Sequence, residues 1–178
     1  MTEIVAVNRA ADILPEYQGT VIGDLLGYQN LDAPLGAPEP RRLLIGMCMD
    51  SRKALRLPAE FAFVLRTAGA NLRDHEFRIS YAIAVGGVRT IALIAHTDCG
   101  MKRVADERDL FVHGLIDHAG WTEAQAEAMF AVGVPKFGIS DEVDFVMREA
   151  ERLRALYPKI AVVPLLYRVE DDRLYQLR

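Results

Sequence analysis

The chain has 178 residues, which suits one domain with a single core, and a domain of this size buries about 70% of the surface that its unfolded chain exposes. The formal net charge of −4 and the sequence pI near 5.6 exclude the concentrated positive charge that nucleic-acid binding requires. No apolar run approaches the roughly 20 residues that span a bilayer, and the N-terminus lacks the cationic start and unbroken apolar centre of a secretory signal. We therefore expect a soluble cytoplasmic protein that binds neither nucleic acid nor a membrane.

Short apolar runs alternate with amphipathic segments along most of the chain. They begin after GAPEP, a Pro/Gly-rich stretch at 36–40 that predicts a loop. One helix is predicted at 78–87, and the predicted strands are 42–47, 61–66, 90–95, 160–169 and 172–177. This alternation is typical of an α/β protein whose mostly parallel central sheet is flanked by helices.

Two further helices are predicted in the second half of the chain. Thr122 and Gln125 form a plausible capping box for the first, and the segment 134–140 interrupts its pattern. Ser140, followed by two acidic residues, is the expected N-cap of a helix that runs to about residue 156. Pro164 lacks a backbone donor, so its strand is expected at an edge of the sheet.

The two cysteines of the chain and one histidine follow two of the predicted strands. Cys48 ends the first strand, while His96 and Cys99 follow the strand at 90–95. Ligand sites of open α/β sheets collect at the carboxyl ends of parallel strands, so neighbouring strands would bring the three side chains together. Two thiolates and an imidazole suit Zn²⁺ and leave its fourth tetrahedral position open, which permits catalysis.

Asp50 and Arg52 add a carboxylate and a guanidinium to this set. Asp50 either closes the fourth zinc position or, held by Arg52, accepts a hydrogen bond from zinc-bound hydroxide. A zinc site neutralised by two thiolates is a weaker Lewis acid than one with three histidines, so we expect activity that rises into the alkaline range.

Together these residues resemble the signature of the β-class carbonic anhydrases. The chain has C-x-D-x-R at 48–52 and H-x-x-C at 96–99, followed by Gly100. Between them, FVLRTAGANL at 63–72 is similar to the strand and loop of that family, and the HTDCGM spelling resembles its compact prokaryotic branch. The strong resemblance covers about residues 42 to 104.

The resemblance implies a function and an assembly. Cys48, His96 and Cys99 would bind Zn²⁺, and Asp50 with Arg52 would form the catalytic pair of a zinc-dependent lyase. Such an enzyme hydrates CO₂ reversibly to bicarbonate through zinc hydroxide. Family members are homodimers or higher homo-oligomers whose N-terminal helical arm embraces the partner. The expected organisation is therefore one domain over 1–178, with an arm at 1–40 and an α/β core at 41–178.

The substrate pocket is assigned three residues, Thr67, Gly69 and Gly100. The loop at 67–70 departs from the family pattern at two positions. Thr67 stands where the family usually has Asn, and Ala70 stands where Asn or Cys is common, so substrate and rate are open. Gly69 is placed in the same pocket. Gly100 either presents its backbone N–H to the substrate or Asp50, or simply permits a tight turn.

Alternative functions remain at this point. The same fold and zinc sphere hydrolyse CS₂ or COS in some relatives, and a non-catalytic zinc-binding homologue would keep the site closed. Asp98, between two of the ligands, either supports the metal site or stabilises its loop. A thiol redox protein is disfavoured, because the cysteines lack a C-x-x-C arrangement.

Overall fold

The computed structural model describes residues 2–35, 43–58 and 60–178. Its six strands form one sheet in the order β1-β6-β5-β4-β2-β3. The strands are β1 (Ile4–Val5), β2 (Leu43–Cys48), β3 (Phe63–Thr67), β4 (Thr90–His96), β5 (Ala161–Arg168) and β6 (Arg173–Leu177). The α-helices are α1 (Val21–Leu31), α2 (Glu76–Ala84), α3 (Arg108–Ala119), α4 (Glu123–Phe137) and α5 (Glu142–Leu156).

The four neighbouring strands β5, β4, β2 and β3 are parallel, as the apolar runs predict. β2 pairs with β3 on one side and with β4 on the other, and β4 also pairs with β5. β6 and β1 continue the sheet antiparallel at the opposite edge. Every residue of β2 is buried, as expected for a strand covered on both faces.

Apolar side chains fill both faces of this sheet. One cluster packs α2 and α5 against the strands through residues such as Ile79, Val146 and Leu153. The other packs α1 against the opposite face through Ile22 and Leu26. The expected α/β class with helices on both faces of the sheet is therefore confirmed.

The N-terminal segment is folded onto its own chain. β1 pairs with β6, and the side chain of Asn30 on α1 donates to the carbonyl of Leu174 at 2.7 Å. The contact of this segment with a partner stays a prediction. The GAPEP loop and the boundary expected near residue 40 lie outside the described residues.

Two local expectations about the last helices are wrong by a few residues. Asp141, not Ser140, caps α5, because its carboxylate accepts from the backbone N–H of Asp144 at 2.9 Å. Helix α4 begins with the predicted capping box and continues through Pro135 to Phe137 instead of breaking near 134. Pro135 lies in its last turn, where only one intrahelical hydrogen bond is lost.

Pro164 does not mark a sheet edge, since β5 lies between β4 and β6. It is paired with Leu93 of β4 in the parallel ladder, whereas pairing with β6 begins only at Leu165. Pro164 therefore lies one residue outside the antiparallel ladder, where β6 needs no backbone N–H from it. This explains why a proline is tolerated in an interior strand. None of the helices in the described ranges is long and apolar enough to cross a membrane.

Candidate metal centre

The carboxyl ends of β2 and β4 lie side by side, and they bring the three predicted metal ligands together. Cys48 is the last residue of β2, His96 is the last residue of β4, and Cys99 follows in the next turn. Their two sulfurs and the imidazole nitrogen lie within 4.8 Å of one another, and all three side chains are buried. Both cysteines are free thiols. This is the ligand set and spacing that a tetrahedral zinc site needs.

The His96 ring is oriented for binding a metal. Its Nδ1 lies 2.9 Å from the carbonyl of Thr97, which can only accept, so Nδ1 carries the proton. Nε2 then holds a free lone pair, and it is buried without a hydrogen-bond partner. A metal-binding histidine has this arrangement, with one nitrogen held by a carbonyl and the other left for the ion. The residues present therefore fit zinc.

The two thiols are unequal before any metal binds. Their mutual hydrogen bond lowers the pKa of Cys48 and raises the pKa of Cys99, and burial raises that of Cys99 further. One sulfur of the pair thus ionises readily. A bound dication would ionise both, since thiolates are the metal-binding form.

Asp50 is held by Arg52. Arg52 Nη2 donates to Asp50 Oδ2 at 2.8 Å, and its Nε and backbone N–H donate to the same carboxylate at 3.2 and 2.9 Å. These hydrogen bonds hold the pKa of Asp50 well below its usual value, so it is a carboxylate. Asp50 is not among the groups that converge on the metal position.

Asp98 supports this pair. Its carboxylate accepts from Arg52 Nη1 at 2.7 Å and from Arg103 Nη1 at 2.8 Å, while its carbonyl accepts from Arg52 Nη2. Of the two roles considered from sequence, the geometry favours support of the site: Asp98 fixes the guanidinium that fixes Asp50.

An apolar wall covers the sulfurs. Ile139, with Met101 and Phe145, packs against Cys48 and Cys99, and the backbone N–H of Ile139 donates to the carbonyl of Met101 at 3.1 Å. Sequence reasoning missed Ile139 and Phe145, because they reach the site from beyond α3 and α4. No spacing in the sequence connects them to the cysteines.

The three predicted pocket residues lie around this centre in different ways. Thr67 is the register partner of Cys48 on β3, and its buried hydroxyl has no hydrogen-bond partner. Gly69, with a φ of +61°, would direct a Cβ towards Met101 Cγ at 3.4 Å. Gly100 begins a short turn of helix, and a Cβ added there would meet nothing within 4 Å. Their role in binding substrate stays a prediction.

Two charged residues that the motif does not include also line the centre. Lys53 is buried and follows Asp50 in the loop after β2. Glu142, at the start of α5, accepts from the backbone N–H of Cys99 at 3.4 Å and from Lys102 at 3.0 Å. A lysine in the middle of a surface-like stretch gives no sign of burial, so only the structure identifies Lys53.

The family model described as "Carbonic anhydrase" matches residues 43–155 of the chain. The chain belongs to the β-carbonic anhydrase family. The matched range contains all three candidate metal ligands as well as Asp50 and Arg52, in agreement with the resemblance of the signature.

Among characterised relatives, the chain is 41% identical over 160 residues to "Carbon disulfide hydrolase" of Saccharolobus solfataricus, with 78% of each chain covered. It is 37% identical over 93 residues to "Beta-carbonic anhydrase 1" of Mycobacterium tuberculosis, which covers 49% of this chain and 55% of the relative. The chain thus spans about half the length of some curated relatives that it matches.

Solved β-carbonic anhydrases share the fold. The Streptococcus mutans enzyme superposes with a TM-score of 0.59 at 24% identity, covering 91% of this chain and 98% of that chain. At this identity, the likeness shows the fold alone.

Proposed function

We propose that the protein is a zinc-dependent carbonate dehydratase that hydrates CO₂ reversibly to bicarbonate. One observation carries this proposal: Cys48, His96 and Cys99 converge within 4.8 Å, with the Nε2 of His96 buried and unpartnered. Such a buried acceptor is costly unless something binds to it. Zn²⁺ is the ion that a set of two thiolates and one imidazole suits best.

The fourth zinc position is proposed to be open to solvent and substrate. Asp50 is the residue that could close it, but both of its carboxylate oxygens already accept from Arg52. Arg52 in turn is anchored by Asp98. Because Arg52 is held at both ends, Asp50 is kept in position beside the metal site instead of within it.

Zinc, when bound, supplies Lewis acidity that activates water as a nucleophile. Asp50 is proposed to accept a hydrogen bond from the attacking water and so to orient its lone pair towards CO₂. Its carboxylate can do so because three N–H groups of Arg52 share its roughly four acceptor positions, with Nε shared between the two oxygens, so that one position remains. Arg52 also keeps Asp50 ionised, which prevents it from becoming a donor.

The apolar wall of Met101, Ile139 and Phe145 suits a small nonpolar substrate. CO₂ carries no charge and forms only weak hydrogen bonds, so an apolar surface beside the metal can hold it without a dedicated donor. Bicarbonate, by contrast, is charged, so its contact with such a surface is unfavourable and its release is favoured.

Hydrolysis of CS₂ is the second candidate. The 41% identity to a carbon disulfide hydrolase, over 78% of each chain, favours it, and CS₂ is linear and apolar like CO₂. The same ligands and the same Asp50 would serve both reactions.

The test measures both substrates on one preparation of the protein with its zinc content determined. We expect CO₂ hydration at one zinc per chain. Release of H₂S from CS₂ without CO₂ hydration would establish the second candidate instead, and full zinc with neither activity would indicate a non-catalytic metal-binding protein.

We also propose a cytoplasmic location and a homo-oligomeric assembly. Both cysteines are free, and a metal site of this kind needs them reduced, as they are in the cytosol. The exposed apolar side chains of Phe77 and Tyr81 on α2 support an oligomer.

A further inference from the structure

Two of the three candidate metal ligands belong to the sheet, and the third does not. Cys48 is the last residue of β2 and His96 is the last residue of β4, and the parallel ladders with β3 and β5 include both residues. Cys99 lies beyond β4, between Asp98, whose φ is +53°, and the short helical turn Gly100–Lys102. The position of its sulfur therefore depends on contacts from outside the sheet.

The side chain of Glu142 holds the turn that follows Cys99. Glu142 is the first residue of α5 and lies 43 positions along the chain from Cys99. One of its carboxylate oxygens accepts from the backbone N–H of Cys99 at 3.4 Å, and the other accepts from Lys102 Nζ at 3.0 Å. A buried backbone N–H needs an acceptor, and this carboxylate supplies it at Cys99. Both ends of the turn are thereby joined to one side chain.

The connection between α4 and α5 also supports this turn. The backbone N–H of Ile139 donates to the carbonyl of Met101 at 3.1 Å, and the side chains of Ile139, Met101 and Phe145 pack around the two sulfurs. A buried carboxylate is unfavourable without hydrogen bonds or an ion pair, and Glu142, which is only 7% exposed, has both. The N-terminal end of α5 thus contacts the turn through the backbone, a charged side chain and apolar packing.

We propose that Glu142 is a positioning residue of the metal centre, whose carboxylate fixes the backbone of Cys99 and so slows the release of bound metal. This role rests on the metal site of the proposed function, but it is independent of which substrate is turned over. Groups that hold a metal ligand from outside the coordination sphere commonly contribute about 10- to 100-fold to metal affinity. The two strand ends fix Cys48 and His96, and Glu142 completes the set by fixing the third ligand.

The experiment compares metal release from Glu142→Ala with release from the unchanged protein. Each protein is loaded with one Zn²⁺ per chain, and an excess of chelator then takes up the metal as it dissociates. Without the carboxylate, the N–H of Cys99 loses its acceptor and Lys102 loses its partner, so we expect release to become about 10- to 100-fold faster. The same variant loaded with Co²⁺ should show an altered charge-transfer absorption from sulfur to cobalt, because one sulfur is held less firmly.

Two control variants separate this role from the other effects of Glu142. Asp144→Ala removes another acidic side chain from the first turn of α5, and so the same favourable charge at the helix N-terminus, but Asp144 is exposed. Lys102→Ala removes the ion pair and leaves the carboxylate able to accept from Cys99. Both control variants should release zinc at the rate of the unchanged protein and keep its cobalt spectrum.

Three results would overturn the role of Glu142. Unchanged zinc release from E142A would show that its carboxylate does not hold the metal site, whatever its effect on stability. Release from D144A as fast as from E142A would assign the effect to the helix terminus, and equally fast release from K102A would assign it to the ion pair. If E142A does not fold, Glu142→Met keeps the length of the side chain without an acceptor, and unchanged release from that variant has the same meaning. Failure of the unchanged protein to bind Zn²⁺ at all would instead contradict the metal site of the proposed function.

Discussion

At the scale of single residues, the candidate metal ligands lie together, as the sequence predicts. Their spacing is fixed by two strand ends, and the parallel pairing of β2 with β4 brings those ends together. Cys48, His96 and Cys99 could therefore be predicted without a structure. Lys53 and Ile139 could not, because burial of a lysine and contact across two intervening helices depend on the tertiary fold.

Replacement of His96 or Cys48 by alanine should abolish metal binding. Each change removes one of three protein ligands, and two remaining ligands hold zinc poorly. Metal analysis after dialysis measures the result, and His118→Ala, at an exposed histidine of α3, serves as the matched control. Retention of one zinc per chain in H96A would show that the metal lies elsewhere.

Asp50→Asn should keep zinc and lose turnover. The amide preserves the shape of the carboxylate but presents an N–H where Asp50 accepts a hydrogen bond. We therefore expect kcat to fall by about 10²- to 10⁴-fold. Zinc content and kcat are measured together, with the exposed Asp117→Asn as the control. Loss of zinc from the Asp50 variant would identify Asp50 as a structural ligand.

At the scale of elements, the central strands are more predictable than the helix ends. Continuous apolar runs require buried strands, so the predicted strand at 90–95 and the observed β4 agree almost residue for residue. The cap of α5 differs by one residue, since Ser140 and Asp141 are both good caps and local geometry decides between them. β1 has only two residues and exists because β6 pairs with it, so no pattern could reveal it.

Gly46 sets how closely β2 can be packed. A Cβ at this position would lie 2.8 Å from Leu72 Cδ1 and 3.0 Å from Leu93 Cδ2, in the middle of a fully buried strand. Gly46→Ala should therefore destabilise the protein by about 1–3 kcal/mol through overpacking.

The control for this prediction is Gly114→Ala, within helix α3. A Cβ there meets nothing within 4 Å, and alanine favours a helix over glycine by about 1 kcal/mol. Denaturant unfolding measures both variants. Equal stability of G46A and the unchanged protein would contradict the packing described around β2.

At the scale of the whole molecule, β3 forms one edge of the sheet, and its exposed side chains are those of Val64 and Arg66. β3 pairs only with β2 in the described part of the chain. Beside this sheet, α2 and the residue after it expose a row of apolar side chains four positions apart, at Phe77 (83%), Tyr81 (58%) and Val85 (67%). An open strand edge and such a row are typical of an interface, and an edge strand can pair with its own copy across a two-fold axis.

Phe77→Glu should therefore weaken self-association. A buried charge at an interface is strongly unfavourable, so the dimer proposed for this protein should shift towards monomer. Light scattering after size-exclusion chromatography measures the mass, and Leu110→Glu, at a leucine on α3 that is 74% exposed, is the control. Unchanged mass in F77E, or dissociation of L110E alone, would place the interface on another face.

We propose that this chain holds zinc in a site of two sulfurs and one imidazole and uses it to hydrate CO₂. The decisive experiment is stopped-flow CO₂ hydration by zinc-quantified protein, from neutral to alkaline pH. Because the two sulfurs neutralise the dication, we expect turnover that rises with pH at one zinc per chain. Full zinc occupancy with no CO₂ turnover at any pH, or with a rate that does not change with pH, would contradict it.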